Sequence, residues 1–100
     1  MTLGTRTTTI ATAAFKGCKK LKSITTCDTL ISIAPSAFFG CSSLSSIVLP
    51  VSIRQIGNSC FDLCYSLTAI YYKGTKEAWD ALDTKNAGLT YANVFCDYKG

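Results

Sequence analysis

The sequence predicts an α/β repeat solenoid, a right-handed coil with short parallel β-strands and short helical or 3₁₀ returns. Three observations carry that prediction. The segment AFKGCKKLKSI from Ala14 comes back as AFFGCSSLSSI from Ala37 and as CFDLCYSLTAI from Cys60, each time after 23 residues. Seven of its eleven positions are identical between the first two copies, which chance does not give in neighbouring segments. Apolar residues also fall in fixed columns: Ile10, Ile33, Ile56; Phe15, Phe38, Phe61; Cys18, Cys41, Cys64; Leu21, Leu44, Leu67; Ile24, Ile47, Ile70. Columns repeated at such a period stack into one continuous core when successive coils pile on one another.

Each part of the coil has its own warrant. The spacing Leu44-x-x-Ile47-x-Leu49, echoed by Leu67-x-x-Ile70-x-Tyr72 and weakly by Leu21-x-x-Ile24-x-Thr26, is that of a leucine-rich repeat. Its alternation predicts one short strand per coil. Strands at equal positions then pair in parallel, about 4.8 Å apart. In the return APSAFFGC, Pro35 favours a first helical turn and Gly40 suits a C-terminal stop. In IYYKGTKEAWDAL a last strand runs into a turn and a short helix, with Trp79 in the fourth place of the Ile10 column. VFCDYKG reads as a final strand. The division expected is a single solenoid domain over residues 1–100: an incomplete first coil over about 1–9, repeats of 23 residues over 10–72, and a C-terminal cap over 73–100.

The unit I-x-x-x-A-F-x-G-C-x-x-L-x-S-I, complete from Ile10 to Ile24, resembles the BspA-type leucine-rich repeat, and the likeness runs from Ile10 to Tyr72. The tail resembles the closing module of such arrays. The chain departs from the unit where Leu63 replaces Gly, where Cys60 replaces Ala, and where Thr26-Cys27 stands in place of Leu49-Pro50. The last departure makes the end of the first full strand the least regular. The resemblance implies a protein that is displayed on the cell surface or secreted, and that attaches to host or matrix proteins.

Leu3 falls in the column of Thr26, Leu49 and Tyr72, so the chain begins partway through a strand with no recognisable N-terminal cap. Two readings stay open: the C-terminal part of a longer array, or self-association of two copies at the uncapped N-terminal end. No signal peptide is legible in MTLGTRTTTIATAAF, which lacks a continuous apolar stretch. No run approaches the ~18 apolar residues of a membrane helix, so no membrane insertion is expected. An apolar fraction of 48% with 16% charge is that of a folded chain, not a disordered one. The net charge of +4 centres on Lys16, Lys19, Lys20 and Lys22. The later copies put Phe39, Ser42, Ser43 and Ser45, then Asp62, Tyr65, Ser66 and Thr68, at those positions. The basic stripe of a nucleic-acid binder is therefore not continued, and no nucleic-acid partner is expected.

Catalytic chemistry has little to stand on. The chain has no His, the commonest general base. Glu77, Asp80 and Asp83 are spaced as a solvated helix face, and GTKEAWD lacks the second Gly and the Lys-Ser/Thr pair of a phosphate loop. No enzyme activity, cofactor or metal site is expected. Of the six cysteines none forms C-x-x-C. Parallel stacking permits disulfides between coils, but the Cys18, Cys41 and Cys64 column reads as a ladder of buried free thiols. Cys27 lies just past a strand, where exposure is expected.

What remains is surface. Strand residues facing away from the core are expected to line the inner face of the solenoid, in the columns Ser23, Ser46, Ala69; Thr25, Val48, Tyr71; and Cys27, Pro50, Lys73. The candidate partner-binding residues are Ser23, Thr25, Ser46, Val48, Ala69, Tyr71 and Lys73, with Tyr71 and Lys73 the side chains best suited to anchor or steer a protein partner. The alternative is a structural C-terminal cap or spacer of a longer array, with no binding site of its own.

Overall fold

The 23-residue period becomes a stack of coils with strands on two sides and turns on the third. The computed structural model describes residues 3–4, 6–89 and 92–99. Among the described residues, seven strands form two parallel sheets, alternating between them as far as β6: β1 (Thr9–Ile10), β3 (Ser32–Ile33) and β5 (Gln55–Ile56) form one, while β2 (Ser23–Thr25), β4 (Ser46–Leu49), β6 (Ala69–Tyr72) and β7 (Asn93–Phe95) form the other. Every pairing through β6 keeps the 23-residue offset, as in Ile24 beside Ile47 beside Ile70. The sequence reading expected one strand per coil; the Ile10, Ile33 and Ile56 column builds the second sheet. A two-residue strand is too short to show alternation, so only its column marks it.

The returns are turns, closed by i→i+3 bonds of 3₁₀ spacing such as Cys41 N–H to the Phe38 carbonyl. No continuous helix forms after Pro35, because Ser36 sits at φ +60°, as do Ala13 at +57° and Ser59 at +59° in the other copies. The returns stack through the backbone: Phe15 N–H donates to Ala37 O at 2.7 Å, and Phe38 N–H to Cys60 O at 3.0 Å. Side chains follow, so the rings of Phe15, Phe38 and Phe61 lie parallel at 5.1 and 5.5 Å. Inside, Phe38, Cys41, Leu44, Ile47 and Leu49 are fully buried, with the same columns of the third coil packed beside them.

A second left-handed position follows the phenylalanine column: Gly17 at φ +72°, Gly40 at +74° and Leu63 at +61°. The third copy thus keeps a conformation suited to glycine while carrying a branched, half-exposed side chain. Left-handed backbone costs an L-residue roughly 1–2 kcal/mol, partly offset by the greater chain entropy that glycine loses on folding. Leu63→Gly is therefore expected to stabilise the fold by about 1 kcal/mol, read as a rise of a few degrees in the thermal midpoint. A lower midpoint would mean that contacts of the leucine outweigh the strain.

The first full strand ends early, as the sequence suggested. β2 stops at Thr25, where β4 and β6 run one residue further. Thr26 is nonetheless buried, and its hydroxyl donates to Val48 O at 2.6 Å. Leu3 N–H donates to Thr25 O at 3.0 Å, which keeps Leu3 in the column assigned to it. Trp79 does not join the Ile10 column. It lies in the helix α1 (Lys76–Asp80), whose N-cap Thr75 accepts from Ala78 N–H, and its ring packs on Tyr72 at 5.2 Å. The helix is five residues long, so Asp83 lies beyond it, and only Glu77 and Asp80 of the expected acidic face are helical. Downstream, Ser59 and Phe61 N–H donate to the carbonyls of Asn86 and Ala87, so the chain makes one more return before β7.

Candidate functional site

The outward face of the four-stranded sheet follows from strand alternation. Ile24, Ile47, Leu49, Ile70 and Tyr72 point into the core, leaving the residues between them outside. Register places Ser23 beside Ser46 beside Ala69, and Thr25 beside Val48 beside Tyr71. Six of the seven candidate residues thus form two adjacent rows. Ser23 and Thr25 are exposed, whereas Ser46, Val48, Ala69 and Tyr71 are half-buried by their neighbours.

The third row departs from the expectation. Pro50 is fully buried, not outward-facing, because the chain bends inward at the strand end and carries Leu49 and Pro50 into the core together. Lys73 lies beyond that bend, and its ammonium reaches Asp28 at 3.4 Å, across the intervening coil. The two side chains are 36% and 83% exposed, so solvent weakens the attraction and the pair ties the first coil to the third with little energy.

The face also holds residues that sequence reasoning missed. β7 pairs with β6 at an offset of 24, placing Asn93 beside Ala69 and Phe95 beside Tyr71. Extending the 23-residue period would have put Val94 beside Tyr71, and one residue of slip exchanges the two faces of a strand. The Tyr71 and Phe95 rings stack at 5.5 Å, and the Tyr98 ring lies 4.8 Å from that of Tyr71. Tyr98 is held there by its N–H to Tyr72 O at 3.0 Å, and Asp97 N–H donates to Gly74 O at 2.8 Å. Phe95 remains 49% exposed. Val94 and Phe95 are both apolar, so nothing in the sequence marked Phe95 as the outward residue.

The cysteines serve the interior. All six are free thiols. Cys41 and Cys64 are buried and Cys18, at the end of the column, is half-buried. The Cys41 thiol donates to Phe15 O at 3.1 Å and the Cys64 thiol to Phe38 O at 3.0 Å, so each rung of the ladder also ties its coil to the one before. Cys60, where the repeat has Ala, does the same to Ala34 O at 3.0 Å. Burial raises the pKa of all three, and that of Cys64 to about 11. Cys27 is half-buried and differs: what desolvation it feels acts upward, yet hydrogen bonds with the Thr29 side chain and backbone outweigh it and lower its pKa. Among the described residues no three His, Cys, Asp or Glu are arranged to hold a metal ion.

Comparison with known families matches residues 1–94 to the BspA type leucine rich repeat region (6 copies). The chain belongs to that family. Searches of curated proteins and of solved structures returned no match. The BspA-type unit accounts for the stacked Phe, Cys and Leu columns; the aromatic cluster lies where the regular repeats give way to the tail. Among the described residues no helix is long and apolar enough to cross a membrane.

Proposed function

We propose that the chain is a protein–protein interaction module of a BspA-like surface protein, attaching to a host or matrix protein through the outward face of its four-stranded sheet. The observation that carries this reading is the cluster of Tyr71, Phe95 and Tyr98 on that face, with Phe95 half exposed. Aromatic side chains supply large contact areas with few rotors to immobilise, and they dominate binding energy at protein interfaces. The small side chains of Ser23, Thr25, Ser46 and Ala69 leave the rest of the face low enough for a partner to approach the cluster. The family is often surface-associated, which supports display of this chain on a surface.

Binding to immobilised collagen and laminin, as a first panel of matrix proteins, tests the reading. Tyr71→Ala and Phe95→Ala are each expected to weaken binding by about tenfold or more, and Ser46→Ala by about twofold at most. Circular dichroism of each variant checks that the fold is kept. If both aromatic variants bind as the parent does, the site lies elsewhere.

One observation favours a second reading, a structural cap or spacer of a longer array. The helix α1 with Trp79 against Tyr72, and the extra return with Ala87 buried on Phe61, close the C-terminal end of the core. Under this reading no matrix protein binds, and a variant that opens that end, such as Trp79→Ala, loses stability only.

A further inference from the structure

The third return differs from the first two at three neighbouring positions. Where they carry Lys16 and Phe39, then Gly17 and Gly40, then Lys19 and Ser42, it carries Asp62, Leu63 and Tyr65. None of these three side chains belongs to the core. Leu63 is 46% exposed and Tyr65 69%, while Asp62 is half-buried. Leu63 moreover holds left-handed backbone at φ +61°, which glycine would adopt without strain.

All three line one cavity of about 400 Å³, with Phe39, Phe61 and Gly88 among its other walls. Backbone bonds between coils hold those walls: Gly40 N–H donates to Asp62 O at 2.9 Å, and Phe61 N–H to Ala87 O at 2.8 Å. The Asp62 carboxylate lies against Gly88, where an added Cβ would collide with it, so only glycine leaves the acid its room. No described residue forms an ion pair with that carboxylate. A half-buried acid beside aromatic and aliphatic walls suits a cation carried on an apolar stem. The fold already uses part of this chemistry, since the Lys16 ammonium lies over the Phe39 ring at 5.4 Å from its centroid. Residues 32–100 hold five basic and five acidic groups, so the net charge of +4 is not centred on this part of the chain.

We infer that this cavity receives an arginine side chain of a polypeptide partner, its guanidinium on the Asp62 carboxylate and its methylenes against Leu63 and Phe39. Arginine suits the site better than lysine. Its planar fork meets a carboxylate through two parallel bonds, and its face can at the same time lie on an aromatic ring. The volume is near the lower end of the range for whole small-molecule ligands, about 300–1,000 Å³, and accommodates one side chain. The cavity lies on the returns and shares no residue with the aromatic sheet face, so either can fail without the other.

The test is a titration of the full chain with a Gly-Gly-Arg-Gly-Gly peptide blocked at both ends, followed through amide chemical shifts. Counterpart peptides carry lysine, citrulline or norleucine in place of the arginine. The arginine peptide is expected to move the amides of Asp62, Leu63, Tyr65 and Gly88, with an affinity that falls as salt rises. Citrulline, which keeps the shape and loses the charge, should bind several times more weakly. Asp62→Asn, close to the native side chain in shape, is expected to weaken the arginine peptide about fivefold. Leu63→Gly should also bind it more weakly while melting at a higher temperature, a combination that a merely structural leucine would not give. Citrulline or norleucine binding as tightly as arginine overturns the proposal, because no charge is then read. An arginine peptide that leaves the four amides unmoved overturns it too. Lysine binding as tightly overturns the choice of arginine, and free methylguanidinium binding as tightly as the peptide overturns the polypeptide as occupant.

Discussion

Replacing Phe38 by alanine is expected to lower the unfolding free energy by about 3–5 kcal/mol, the range for truncating a fully buried aromatic side chain. The ring is 0% exposed and lies between Phe15 and Phe61, with interplanar angles of 2° and 3°. A domain of this size is held by about 5–15 kcal/mol in all, so the variant should be near its limit. The same truncation at Phe15, half-buried at the end of the ladder, is expected to cost roughly half as much. Coils in such a stack are stabilised by their neighbours, and the middle ring serves two neighbours where the terminal ring serves one. Urea titrations of both variants, followed by far-ultraviolet circular dichroism, provide the comparison. Equal losses would mean that burial at the end of the stack contributes as much as burial within it.

The second large effect is alkaline. Between pH 9.0 and about 11 the fold is expected to lose on the order of 2–3 kcal/mol through Cys64 alone. Burial is the main cause of its raised pKa, with the neighbouring Cys41, Asp62 and Cys60 adding charge repulsion. The folded state therefore keeps a proton that the unfolded state releases. Its contribution is intact below the unfolded value of 9.0 and is lost as pH rises through the folded one. Cys41 and Cys60, also raised chiefly by burial, act in the same sense, as does the Tyr72 phenol at somewhat higher pH. Urea midpoints measured in reductant at stepped pH should fall across this window, and Cys64→Ala should flatten the fall. A parent protein with constant stability over the window would show that its thiols ionise as freely folded as unfolded.

How far the sequence could be read depended on what each residue answers to. Phe38, Leu44 and Ile47 answer to the column above and below, which a repeat displays openly, and their burial was legible. Ser36 answers to a backbone angle: nothing in a serine announces φ +60°, so the helix suggested by Pro35 did not survive. Pro50 answers to a bend, where two successive residues turn inward and alternation ceases. The candidate face was legible along Ser23, Ser46 and Ala69 because the period holds there. It ceased to be legible at Phe95, where α1 lengthens the last coil and its offset becomes 24. Tyr98 could not be placed by any period, since its position follows from its own hydrogen bond to Tyr72.

The direction of the hydrogen bonds has a mechanical consequence. Strands run across the stack, and the bonds between coils, such as Phe15 N–H to Ala37 O and Phe38 N–H to Cys60 O, run along its axis. Leu3 is bonded to the first coil and Tyr98 to the third, so a pull through the two ends of the described chain is directed along those bonds. Such tension peels coils away one at a time, each bearing the load in turn. A pull along the strands would instead shear many bonds together. The stack is thus compliant along its axis and stiff along its strands, and a load carried from one end of the described chain to a grip on the sheet face runs mainly in the compliant direction.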